Sequence, residues 1–235
     1  MGRKNPERRQ QAGAVHEPVR VNQEDKGYKD TPLRALTLGQ KYFLRTLSNS
    51  DVTICTGPPG TGKTHIACGM AAQAMRHGDV EKIVLCRPVG GMEKEIGYLP
   101  GGIRDKLGPY LVPLFDELSC YMTYEFIKHL MDVGRLEIVP LAALQGRTFK
   151  DSFVVLDEAQ NASYSDLKMF FTRFGEGSTV VASGDIRQKV DHVANEGSLS
   201  SVIDRLYDLE GVGICHLTHD DVVRHELTAE IDQRL

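Results

Sequence analysis

The chain has 235 residues, of which 41% are hydrophobic and 26% charged, a composition that suits one soluble α/β domain with a proper core. Its net charge of −4 gives no bulk signature of nucleic-acid binding, so any such contact must use a local patch. No apolar run approaches the roughly 20 residues that cross a bilayer, and the polar Met1–Gln10 stretch lacks the apolar core of a signal peptide, so no membrane partner and a cytoplasmic location are expected.

Residues 1–32 are rich in Arg, Gln, Asn, Glu and Lys, and are expected to form a flexible N-terminal arm ahead of a domain over 33–235. The domain opens with a helix expected near 37–48 that carries Gln40. A glutamine amide offers both a donor and an acceptor, which matches the edge of adenine; a solvated helix glutamine is the alternative. A buried strand is expected near 51–56, followed by Gly57-Pro58-Pro59-Gly60-Thr61-Gly62-Lys63-Thr64 and a helix near 63–77 closed by Gly78. The octapeptide fits G-x-x-x-x-G-K-[ST] in the strand–loop–helix setting that this pattern requires. Its glycines let successive backbone N–H groups converge on one anion. Lys63 places a compact charge on outer phosphates, the Thr64 hydroxyl is suited to Mg²⁺, and the helix start adds roughly half a positive charge. A nucleoside triphosphate is the expected ligand. ATP is favoured over GTP, because no Asn-Lys-x-Asp element is present to read guanine.

A second strand near 82–86 leads into Arg87-Pro88 and then Ile96-Gly-Tyr98-Leu-Pro100. Helices are expected near 103–119 and 123–132, a strand near 136–140, and then Gln145-Gly-Arg147-Thr148. Arg87 and Arg147 are candidates for phosphates of a single strand and Tyr98 for stacking on a base, set against ordinary loop packing and surface charge. Phe153-Val-Val-Leu-Asp157-Glu158 reads as a buried strand that carries two carboxylates out at its end. Adjacent carboxylates there repel without a cation. Asp157 is therefore a candidate Mg²⁺ ligand with Thr64, and Glu158 the group that prepares the attacking water.

A helix near 163–174 and a strand near 178–183 precede Ser183-Gly-Asp-Ile-Arg-Gln188, where Gln188 is placed to sense a γ-phosphate or the attacking water. After a helix near 198–208 and a strand near 213–217, Arg224 opens a last helix expected near 221–233. An arginine there can offset transition-state charge in its own or a neighbouring subunit; a surface pair with Asp220 or Asp221 is the alternative. The alternation implies a mostly parallel sheet with helices on both faces and its ligand beyond the carboxyl ends of the strands. The five cysteines are odd in number and lack C-x-x-C spacing; Cys55, Cys86 and Cys215 lie in expected core strands and read as small buried residues of a reducing compartment.

These elements, in this order, resemble the PhoH family of phosphate-starvation-inducible ATPases, which are related to the first motor domain of superfamily 1 helicases. The matching stretches are Thr56–Thr64, Arg87-Pro88, Gly97–Gly101, Pro109–Asp116, Gly146–Thr148, Leu156–Asn161, Ser183–Gln188 and Asp221–His225. Cys86 and Gly90-Gly91 depart from the pattern, which leaves the loop after the second strand less defined. The resemblance implies a RecA-like P-loop NTPase core, ATP and Mg²⁺ as ligands, and a role with RNA or single-stranded DNA. It implies catalytic roles for Lys63, Glu158, Gln188 and Arg224 and a metal-holding role for Asp157. Helicase motors of this type hold ATP between two such domains. One domain alone therefore implies a homo-oligomer in which a neighbour supplies the second wall, most simply a ring such as a hexamer. An ATP-driven switch that binds a protein partner and a small-molecule kinase are the rival readings.

Overall fold

In a computed structural model, residues 26–88, 103–188 and 198–223 are described, the side chains of 103–110 and 198 excepted. Six strands form one sheet: β1 (Val52–Thr56), β2 (Lys82–Arg87), β3 (Leu136–Pro140), β4 (Ser152–Leu156), β5 (Thr179–Gly184) and β6 (Val212–His216). Their order across the sheet is β3-β2-β4-β5-β1-β6, and every pair is parallel. All carboxyl ends therefore lie along one edge, and β5 separates the ends of β1 and β4.

The strands read as apolar runs because both faces are covered. Successive residues alternate between two cores. Cys55, Ile83, Leu85, Val155 and Val181 face one; Ile54, Val84, Cys86, Val154, Leu156 and Val180 face the other. Helices α1 (Leu38–Asn49), α2 (Lys63–His77), α3 (Ile103–Ser119) and α4 (Tyr124–Asp132) cover the first face. Helices α5 (Tyr164–Phe171) and α6 (Ser198–Leu206) cover the second. Each fully buried aliphatic side chain contributes about 1.5–3 kcal/mol. All five cysteines are free, and Cys55, Cys86 and Cys215 lie in the core as expected.

Local chemistry sets the ends. The Thr37 hydroxyl caps α1 by accepting the Gln40 N–H, and Thr123 caps α4 from Phe126 N–H. Ser163 and Asp166 form a capping box on α5. Gly78 ends α2 in the left-handed region, its N–H turned back to the last carbonyls.

Several boundaries differ from the sequence reading: the helix expected over 198–208 ends at Leu206, and the helix expected from 221 has not begun there, since Asp221 closes a 3-10 turn and Val222 is extended. Helix α5 stops at Phe171, short of 174, because the chain turns extended there: Phe149 N–H donates to Arg173 O, and Phe149 and Phe174 form an isolated parallel bridge. Residues 27–29, inside the stretch read as an arm, pack on the turn between α3 and α4. Thr123 N–H donates to Gly27 O, Lys29 N–H donates to Tyr121 O, and the Tyr28 ring meets Phe126 edge-on. One aromatic residue in a polar run anchors that segment. Residues 1–25, and the expected last helix beyond Val223, lie outside the described residues.

Candidate functional site

The loop between β1 and α2 is shaped by positions that only glycine fits. Gly62 precedes α2 at φ 79°, in the left-handed region. A Cβ on Gly57 would stand 2.7 Å from the Leu217 Cβ and 2.8 Å from its carbonyl oxygen, so the loop lies directly against the end of β6. Thr61 is fully buried, and its hydroxyl donates to Pro58 O at 2.8 Å, closing the loop on itself. Lys63 is folded back: its Nζ donates to Gly57 O at 2.7 Å and Pro58 O at 2.8 Å. Burial lowers its pKa, with Asp185, Glu158 and Asp157 among the charges that oppose the shift.

Asp157 stands across the cleft as the first residue after β4. Its backbone N–H donates to Cys86 O at 2.9 Å, which fixes it beside the end of β2. Its side chain is 3% exposed. Oδ1 accepts the Thr64 hydroxyl at 2.7 Å and the Ser183 hydroxyl at 3.0 Å. Oδ2 accepts Arg87 Nε at 2.8 Å and Arg87 Nη2 at 2.6 Å. Because the Thr64 proton is spent on Asp157, the lone pairs of Thr64 remain for a cation. A hydroxyl and a carboxylate are hard oxygen donors that suit Mg²⁺. The residues present fit that ion.

Glu158 sits in the left-handed region at φ 54°, ψ 41°, a conformation that costs a non-glycine residue roughly 1–3 kcal/mol. That turn points a half-exposed carboxylate into the cleft rather than along the strand. Its Oε2 accepts Gln160 Nε2 at 2.7 Å. The same nitrogen lies 3.1 Å from Gln188 Oε1, and Gln160 Oε1 accepts the Asp185 N–H at 3.0 Å. Gln160 thus joins the end of β4 to the end of β5. Sequence reasoning missed this role. The signal was a buried amide two residues beyond the acidic pair, followed by a second glutamine after the next strand.

Gln40 reaches the cleft but is engaged on both sides. Its Nε2 donates to Thr61 O at 3.0 Å and its Oε1 accepts Leu36 N–H at 2.7 Å. It braces the loop and keeps one N–H and one lone pair unspent. Asp221 was also missed. It accepts the Thr37 hydroxyl at 2.6 Å, Gly39 N–H at 3.0 Å and Thr218 N–H at 2.9 Å, so it ties the end of the β6 loop to the start of α1. Burial raises its pKa, but these hydrogen bonds outweigh that, and the net shift is downward. Two residues on, Val223 N–H donates to Gly60 O at 3.0 Å. Arg224 and Tyr98 lie outside the described residues.

Arg147 was expected on the ligand side and does not lie there. The chain descends after β3, and the Arg147 guanidinium pairs with Glu137 at 2.7 and 2.8 Å, which also binds Lys82, the first residue of β2. The pair sits toward the amino ends of the strands, and the hydrogen bonds from Arg147 hold the Glu137 carboxyl below its usual range. His65, Glu117 and Cys120 are close enough to hold a metal, but both His65 ring nitrogens are occupied, by Glu117 at 2.9 Å and the Tyr121 hydroxyl at 2.7 Å.

The result is a cleft of about 540 Å³ lined by Gln40, the loop residues Pro59, Gly60, Gly62, Lys63 and Thr64, and by Asp157, Glu158, Asp185 and Gln188. It lies beyond the carboxyl ends of the strands, where open parallel sheets bind ligands.

The family model described as PhoH-like protein matches residues 32–235. A PhoH-like protein of Synechocystis is 40% identical over 199 residues, 85% of this chain and 61% of that protein. A PhoH-like protein of Bacillus subtilis is 37% identical over 206 residues, 88% of this chain and 65% of that protein. The chain therefore spans less than two thirds of the length of these relatives. Among solved structures, the large terminase of a thermophilic bacteriophage superposes with a TM-score of 0.52 at 15% identity, over 84% of this chain and 49% of that one. The sheet is the RecA-like α/β fold of P-loop ATPases.

Proposed function

The chain belongs to the PhoH family, and from that premise we propose that it is an Mg²⁺-dependent ATPase that works on or with RNA or single-stranded nucleic acid. One observation carries the hydrolase part. The Thr64 hydroxyl, on the helix that begins at a phosphate-binding loop, lies 2.7 Å from Asp157, with Glu158 next in sequence and open to the cleft. An anion nest and a paired acid at one edge of a parallel sheet suit a triphosphate and the cation that travels with it.

In this reading the backbone amides of residues 57–64 bind the phosphates, and Lys63 exchanges the loop carbonyls for phosphate oxygens. Thr64 and Asp157 would hold Mg²⁺, which supplies charge neutralisation on the phosphate oxygens. Glu158 accepts a proton from, or orients, the attacking water. Gln160 fixes the Glu158 carboxylate and hands the same geometry to Gln188. Arg224 offsets the charge that develops on transfer, in its own subunit or in a neighbour within a ring. Gln40 holds the loop and keeps hydrogen-bonding capacity for adenine.

The protein-partner switch keeps one observation in its favour: Arg147 and Arg87, both expected on a polymer, are each engaged with a carboxylate. Turnover of ATP with and without single-stranded RNA, with the γ-phosphate tracked, separates the readings. Stimulation that weakens as salt rises supports nucleic acid. Slow turnover indifferent to RNA supports the switch, and phosphate found on an acceptor other than water supports a kinase.

A further inference from the structure

We propose that Arg87 stands in for the divalent cation at Asp157, so that metal binds this site only when nucleotide brings it. The inference rests on the ATPase reading above and concerns the regulation of the same site.

A carboxylate has about four lone-pair positions. In Asp157 they meet four donors: Thr64 and Ser183 on one oxygen, Arg87 Nε and Nη2 on the other. A buried carboxylate needs a counter-charge, and Lys63 does not provide it in this arrangement, because its ammonium is turned onto Gly57 O and Pro58 O. The guanidinium does so with two hydrogen bonds to one oxygen, on a strand whose register with β4 is fixed by the Asp157 N–H to Cys86 O bond. Backbone movement of a loop cannot withdraw it; the side chain itself must turn. Glu158 Oε1 lies 3.8 Å from Arg87 Nη2, so a second carboxylate is already adjacent.

A bare divalent ion must therefore compete with a cation that is covalently part of the site and already paired. An ion delivered on a triphosphate gains the loop amides and Lys63 as well, and that added attraction is what shifts Arg87. The metal order is thus built into β2.

The test is Mn²⁺ binding without nucleotide at pH 7.5, read from the loss of the free-ion EPR signal. Arg87→Met is expected to bind Mn²⁺ at least tenfold more tightly than the parent chain, and Mn²⁺ alone should raise its Tm but not that of the parent. Arg34→Met removes an equal charge from the rim of the same cleft without touching Asp157, and should change affinity less than twofold. Asp157→Asn added to Arg87→Met should abolish the gain. Should Arg87→Met fail to fold, Arg87→Lys, which keeps the charge but loses the fork, is expected to tighten Mn²⁺ at least threefold. An affinity for Mn²⁺ indifferent to position 87, or raised equally by Arg34→Met, overturns the proposal. Binding of ATP in the presence of Mg²⁺ is measured alongside. If ATP binds and Mn²⁺ ignores position 87, this inference alone falls; if ATP never binds, the ATPase reading and the inference fall together.

Discussion

The side-chain amide of Gln160 donates to the carboxylate of Glu158 at 2.7 Å. From the same nitrogen a second contact runs to Gln188 at 3.1 Å, so the residue proposed to prepare water and the residue proposed to sense phosphate share one amide.

Removing that amide should uncouple the two. Gln160→Ala is expected to lower kcat by about 10- to 100-fold with KM for ATP changed less than about threefold, because misplacing a water-activating group costs rate rather than ground-state binding. It also leaves the buried Asp185 N–H without its acceptor, at about 1–3 kcal/mol. Steady-state kinetics with a urea melt read both. An unchanged kcat would mean that Glu158 needs no such support.

Glu158→Gln should keep ATP binding while kcat falls by about 10² to 10⁴. Mixed with Arg224→Ala subunits, it is expected to regain part of the lost turnover if each site takes its arginine from a neighbour. Equal inactivity at every mixing ratio would argue against a shared site.

Asp221→Asn should destabilise the fold by about 2–3 kcal/mol, since a charged acceptor of three short hydrogen bonds is lost. The pH dependence follows from its depressed pKa. A carboxylate held below its unfolded value of 3.8 stabilises the fold fully above that pH, and the contribution is lost as pH falls through the folded pKa. Urea melts between pH 7 and pH 2.5 should show a steeper acid loss in the parent chain than in Asp221→Asn. Parallel curves would remove Asp221 from the account.

Arg147→Ala should cost no more than about 1 kcal/mol, as expected for a partly exposed ion pair, and should leave any RNA-stimulated turnover unchanged. A loss of RNA stimulation without a loss of stability would return Arg147 to the polymer site.

The periodicity of apolar residues reported all six strands, because a parallel sheet covered on both faces needs continuous short apolar runs such as Lys82–Arg87 and Ser152–Leu156. The end of α5 was not legible. Nothing in Thr172-Arg173-Phe174 breaks a helix, and only the pairing of Phe174 with Phe149 draws the chain out straight. The same holds for Tyr28, which looks like part of a polar tail until the Phe126 ring is placed beside it.

Taken alone, the order of residues determined the phosphate loop and the acid pair, since each is a short run whose chemistry depends on its immediate neighbours. Tertiary structure decided what those groups touch. Asp157 meets Arg87 across 70 positions, Thr37 meets Asp221 across 184, and Arg147 turns away to Glu137. Such partners are set by which strands lie side by side and by the path of the loops between them, and alternation along a strand records burial without recording its neighbour.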